Sequence, residues 1–267
     1  MGRITKVFSE LKDKGRKAFI PFLMAGDPTI ELTKDLVLEA ERAGANIIEL
    51  GVPYSTPLAD GPTIQKAGKR SLVHKTNLKD ILNLVKEIRE ESEIPLILMG
   101  YYNSFYQYGL EKLVKDCEKV GVDGVIIPDM PLGEDQELRE FSNNLDIILL
   151  VASNSIERRI QQAAENSQGF IYAVSKPGIT GAREELSQEV EGVVEKLKKL
   201  TDTPVAVGFG ISRPEHVSEI SKFADGVIVG SAIIKQIEEN INLIEDNKDE
   251  FLSQIYDFIS ELTIALK

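Results

Sequence analysis

Short apolar runs recur along the chain at Ala18 to Met24, Asn46 to Leu50, Pro95 to Met99, Gly124 to Pro128, Asp146 to Val151, Phe170 to Val174, Pro204 to Val207 and Gly226 to Val229. Stretches with apolar residues at helical spacing separate most of them. Near-continuous apolar strands belong to a parallel sheet covered on both faces, and right-handed β-α-β crossovers then leave a doubly wound sheet or a closed barrel. Eight repeats favour the barrel, so the pattern predicts an α/β protein built as a single (β/α)8 barrel. Outside the repeats, Ile4, Val7, Phe8 and Leu11 form one helical stripe, and Leu252, Ile255, Ile259, Leu262 and Leu266 form another. They predict extra N-terminal and C-terminal helices packed on the barrel. No low-complexity segment or shift in composition marks a boundary, so residues 1–267 read as one domain of ordinary length for such a barrel.

Three strand entries resemble one another: Ala43 to Ile48, Val122 to Ile127 and Ala224 to Val229. Their irregular spacing excludes a solenoid and suggests reuse of one structural unit. The balance of 31 basic against 43 acidic residues gives a net charge of -12, which repels nucleic-acid backbones and anionic lipid surfaces. An anionic small substrate would have to be held by local backbone N–H groups or helix N-termini, because the overall field opposes it. The lone Cys117 allows no internal disulfide. Neither a secretory signal nor an apolar stretch of roughly 20 residues appears, so a cytoplasmic location is expected.

In such barrels chemistry sits just after each strand. Glu49 interrupts the run Asn46 to Leu50 where its neighbours predict burial, so desolvation should raise its pKa unless a cation pairs with it. A carboxyl titrating near neutrality can both donate and accept a proton, whereas a structural glutamate would be paired to an arginine. Asp60 precedes a helical stretch and could cap it. Because Glu49 and Asp60 belong to one strand end and its loop, two carboxylates can also reach one pocket and take different roles. Val207 to Ser212 and Val229 to Ile233 each follow a strand and open a helix; after strands seven and eight such glycine loops suit phosphate, or merely need a tight turn. Lys176 to Arg183 follows strand six and is polar enough for a lid. Lys176 itself could form a Schiff base with a carbonyl substrate, although its place beyond the strand argues for an exposed, protonated amine. Tyr101 and Tyr102 follow strand three and suit an aromatic pocket or ordinary packing. His74, His216 and Cys117 fall in predicted helices without ligand spacing, so no metal site is expected.

Pro21-Phe22, Ala25 to Pro28, Glu49 to Ser55, Pro57 to Gln65, Val120 to Gly124, Pro128-Asp129, Gly178 to Gly181, Gly208 to Ser212 and Gly230 to Ile233 resemble, in order and spacing, the tryptophan synthase alpha subunits. The likeness covers nearly the whole chain. It implies a TIM barrel and a carbon-carbon lyase of tryptophan biosynthesis that cleaves indole-3-glycerol phosphate to indole and glyceraldehyde 3-phosphate. By this resemblance Glu49 is the general acid-base and Asp60 holds the indole N–H. Phe22, Ile64, Tyr101, Tyr172 and Phe209 surround the substrate, Thr180 sits on a closing loop, and Gly181, Gly210, Gly230 and Ser231 bind phosphate. The resemblance also implies a beta-subunit partner in an alpha-beta-beta-alpha complex. Pyridoxal phosphate would sit in that partner and no cofactor in this chain.

Three positions depart from the family's usual residues: Thr56 where aspartate follows Ser55, Ser153 where proline follows Ala152, and Lys176-Pro177 where arginine and a small residue are common. The first bears on the loop that communicates with the beta subunit, since a neutral threonine cannot make an aspartate's charge-assisted bonds. It keeps a free-standing lyase as an alternative. A catalytically weak allosteric binding subunit is the alternative of another class, and the retained carboxylate pair speaks against it.

Overall fold

A computed structural model describes residues 1–131, 133–141, 144–174, 183–208 and 210–266, with the backbone alone for 183–188. Eight parallel strands close into a barrel in chain order. They are β1 (Ala18–Met24), β2 (Ile48–Gly51), β3 (Leu96–Met99), β4 (Gly124–Ile126), β5 (Asp146–Ala152), β6 (Ile171–Val174), β7 (Val205–Gly208) and β8 (Gly226–Val229). The expected (β/α)8 barrel and its strands are therefore present. Pairing of β1 with both β2 and β8 closes the ring, which leaves no sheet edge exposed.

The two extra helices are also present. In α1 (Arg3–Asp13), Ile4, Phe8 and Leu11 are buried. They join Ala18, Ile20, Ile47, Ile97, Ile126, Ile148, Phe170 and Ile228 in one cluster, so α1 plugs the N-terminal end of the barrel. Phe8 lies tilted against Phe170 with ring centroids 5.7 Å apart. In α13 (Lys248–Ile264) the buried stripe is Phe251, Ile255, Ile259 and Leu262. Leu252, counted in the stripe from sequence, is only half-buried because the helical phase turns Phe251 inward instead.

The repeated strand entries share one hydrogen-bonding device. Side-chain oxygens of Asn46, Asp123 and Asp225 accept the backbone N–H of Phe19, Leu96 and Val205 at 2.8, 2.8 and 3.0 Å. The same three residues donate their own N–H back to those carbonyls at 2.9, 2.8 and 2.8 Å. Each pair ties the start of one strand to the strand before it, satisfying backbone groups that would otherwise be stranded where the sheet begins. Above this layer the alternation of a strand sets what faces the axis. Two residues beyond the inward Ile20, Ile47, Ile97, Ile148, Phe170, Ala206 and Ile228 come Phe22, Glu49, Met99, Leu150, Tyr172, Gly208 and Gly230. That next layer, at the C-terminal ends, carries the functional groups.

Candidate active site

A cavity of about 510 Å³ opens at the C-terminal end of the barrel, a size suited to a small substrate. Phe22, Met99, Leu150, Tyr172 and Ile228 form its inner wall. Asp60 and Ile64 enter from the segment after β2, Asp129 from that after β4, and Gly210, Gly230 and Ser231 from those after β7 and β8. Two glycines make room for the aromatic rings. A Cβ on Gly51 would stand 2.4 Å from the Phe22 ring, and one on Gly208 would stand 2.5 Å from the Tyr172 hydroxyl. Both approaches are closer than a side chain tolerates.

Glu49 pairs in register with Phe22 of β1 and Ile97 of β3 and is 1% exposed. Among the described residues neither carboxyl oxygen has a hydrogen-bond partner. The paired-arginine alternative is thus not what is seen. Burial first, and the nearby charge of Asp60 second, push its pKa from an ordinary 4.5 up to about 8. The group is therefore a neutral acid at pH 7 with a proton to give.

Asp60 does not cap the following helix, α3 (Pro62–Val73), whose N-cap is Gly61 without a side-chain cap bond. With Gly61 as the N-cap and Pro62 at the first helical position, Asp60 stands one residue outside the capping position. Burial raises the pKa of Asp60 from 3.8 to about 6, and a hydrogen bond from Tyr101 opposes the rise. At neutral pH Asp60 is therefore mostly ionised beside the protonated Glu49. Tyr101 stands behind Asp60 and is not part of the cavity wall: its hydroxyl accepts the Ala59 N–H at 2.9 Å, and its ring stacks on Tyr54 at 5.0 Å between centroids. Tyr172 lies close enough to both carboxylates that, after burial, their charges raise its pKa further.

At the β8 end, α11 (Ser231–Asn240) begins directly at Ser231, and no side chain caps it. Its first-turn N–H groups lie at the cavity rim, where Gly230 and Ser231 line it. A Cβ on Gly230 would press on Phe22 at 3.3 Å, so this glycine is kept for close approach rather than for a left-handed turn. The loop after β7 differs from expectation. Gly210 adopts φ +70°, and the next helix, α10 (Pro214–Ser221), opens only at Pro214. Arg213, forced to extended backbone ahead of that proline, separates loop from helix.

Phe209, Thr180, Gly181 and Lys176 with Pro177 lie outside the described residues, so the aromatic, lid, phosphate and Schiff-base expectations placed there are not reached. His216 in α10, Cys117 in α6 (Leu110–Val120) and His74 at the end of α3 lie in separate elements. Among the described residues no three His, Cys, Asp or Glu side chains come together as a metal site. Met99, Leu150 and Ile228 were not singled out from sequence, although strand alternation alone points to them. Arg159, in the first turn of α8 (Glu157–Asn166), also lines the cavity and carries no such signal.

Comparison with known proteins decides the family. Residues 8–263 match the family model described as tryptophan synthase alpha chain. The chain belongs to the tryptophan synthase alpha chain family. It is 46% identical over 268 residues to the alpha chain of Thermoanaerobacter sp. (strain X514), covering 100% of both chains. To the alpha chain of Clostridium kluyveri it is 41% identical, again over 100% of both. Among solved structures, tryptophan synthase subunit alpha from Legionella pneumophila superposes with a TM-score of 0.90 at 34% identity, covering 100% of this chain and 98% of that one. A chain of the tryptophan synthase of M. tuberculosis in its aminoacrylate-bound form gives 0.88 at 30% identity, covering 100% of both. Tryptophan synthase alpha chains are the enzyme's lyase subunits, so the chain is an enzyme of tryptophan biosynthesis and its reaction is the alpha reaction. An alpha chain also implies a beta chain as partner. Among the described residues no helix is long and apolar enough to cross a membrane.

Proposed function

We propose that Glu49 and Asp60 carry out the cleavage of indole-3-glycerol phosphate. The observation supporting this is a buried carboxyl whose two oxygens have no partner among the described residues, close enough to Asp60 to feel its charge. Protonated Glu49 gives its proton to the indole carbon that bears the glycerol chain, and Asp60 accepts the indole N–H and stabilises the positive charge developing on the ring. Glu49, now a carboxylate, takes the proton of the adjacent glycerol hydroxyl. The O–H electron pair becomes the aldehyde C=O, the carbon-carbon bond breaks, and its electrons restore the aromatic indole. Phe22, Ile64 and Tyr172 enclose the ring, Tyr101 orients Asp60, and Gly210, Gly230 and Ser231 with the N-terminus of α11 receive the phosphate. Thr180, Gly181 and Phe209 complete the site by the family resemblance.

We further propose that residues 1–267 act as one domain in the cytoplasm, without a cofactor of their own, as the alpha subunit of an alpha-beta-beta-alpha complex whose beta chain holds pyridoxal phosphate. A free-standing lyase is the second reading, favoured by the exposed, neutral Thr56. Steady-state indole release by the wild type and Glu49→Gln, with and without a cognate beta chain, tests both. Activity that rises with the partner and is lost in the variant supports the synthase. Activity indifferent to the partner supports the free-standing enzyme. No release under either condition overturns the catalytic assignment.

A further inference from the structure

The substrate proposed above carries a phosphate dianion, while the chain carries a net charge of -12. Asp60 and Asp129 line the cavity, and Arg159 is the only basic side chain among its described lining residues. Arg159 is half-buried in the first turn of α8, and its Nε and Nη2 both donate to the Leu150 carbonyl, at 3.1 and 2.9 Å. These two bonds clamp the guanidinium to the end of β5 without neutralising it. Among the described residues no carboxylate forms an ion pair with it. A guanidinium has five N–H donors, so three remain without a protein acceptor among the described residues. Burial lowers its pKa, yet from so far above neutrality that it stays protonated. A cation without an ion-pair partner in a partly desolvated wall is costly unless a ligand supplies the counter-charge.

We propose that Arg159 is the specificity determinant that admits the phosphorylated substrate, its uncompensated charge offsetting the acidic field at the cavity mouth. This rests on reading the cavity as the site of the alpha reaction. The backbone donors around Gly230 and Ser231 fix where a phosphate sits, and Arg159 sets how favourable it is for a dianion to enter. A unit charge acting across a partly screened cavity on a dianion is worth roughly tenfold in affinity.

The test compares wild type, Arg159→Met and Arg159→Lys in the full-length protein. Dissociation constants for inorganic phosphate and for indole are measured by calorimetric or NMR titration, and KM and kcat for indole-3-glycerol phosphate by indole release. Arg159→Met should weaken phosphate roughly tenfold, leave indole affinity within about twofold, and raise KM more than it lowers kcat. Lysine, which keeps the charge but cannot fork onto the Leu150 carbonyl, should restore most of the phosphate affinity. If lysine fails as methionine does and indole binding falls in step with phosphate, Arg159 merely supports β5 and the proposal is wrong. Unchanged phosphate affinity in Arg159→Met overturns it equally. The phosphate and indole titrations report on Arg159 even if the wild type releases no indole, which would instead overturn the catalytic assignment.

Discussion

Glu49→Gln should stabilise the folded protein while abolishing its chemistry, and the gain should grow with pH. The native carboxyl holds its proton up to about pH 8, whereas the unfolded chain releases it near its ordinary value of 4.5. A pKa raised by folding contributes stability that is fully present below the unfolded value and is lost as pH rises through the folded one. Between these limits each pH unit removes about 1.4 kcal/mol, so at pH 7, two and a half units above 4.5, the wild type has lost about 3 kcal/mol. Glutamine is nearly isosteric and does not titrate. Its buried amide lacks partners as the neutral acid does, so that desolvation cost largely cancels in the comparison. Urea unfolding of both proteins at pH 5, 6, 7 and 8 should show their stabilities diverging in favour of glutamine. At pH 7 the variant should melt about 6–10 °C higher. Asp60 is present in both proteins and largely drops out of the difference. Parallel stability curves across this range would refute the reasoning, because they would mean that Glu49 has a compensating partner or is solvated.

Three further outcomes concern the remaining charges of the site and an ion pair at the far end of the barrel. The pH profile of kcat/KM should be bell-shaped, rising as Asp60 ionises near 6 and falling as Glu49 loses its proton near 8; Tyr101→Phe removes a bond that lowers the Asp60 pKa, so its acid limb should move toward neutrality. An unmoved acid limb would show that Tyr101 does not hold Asp60. At the opposite end of the barrel Arg89 pairs with Asp123 at 2.7 Å and donates to the Ile94 carbonyl at 2.7 Å, with both side chains of the pair nearly buried. Arg89→Met should cost about 3–5 kcal/mol in urea unfolding while indole release per folded molecule is unchanged, and a loss below about 1 kcal/mol would contradict the network's role.

Much of the architecture is legible along the chain because it depends on neighbours in sequence. Strands buried on both faces must be apolar throughout, so eight runs announce eight strands, and Glu49 declares itself as the charged break in one of them. The stripe Ile4, Phe8 and Leu11 shows that a helix packs on something. That it plugs one end of the barrel follows only when β1 to β8 close around it. The likeness of the entries at Asn46, Asp123 and Asp225 is visible as text, and its cause, a clamp on the strand before, needs both strands in place.

The properties that make the site reactive were decided by tertiary structure. Whether Glu49 has a partner depends on what β1, β3 and the loop holding Asp60 bring to it, residues up to dozens of positions away. Asp60 satisfied the local pattern of a helix cap as well as that of a pocket residue, and the choice was made by the start of α3 at Gly61 and by the Tyr101 hydroxyl. Arg159 looked like any charge in a first helical turn until closure of the barrel brought α8 to the cavity and clamped the guanidinium on the Leu150 carbonyl. Local sequence dictates secondary structure and which face is apolar, but burial, charge pairing and hence pKa are sums over groups from distant elements, fixed only when the ring closes.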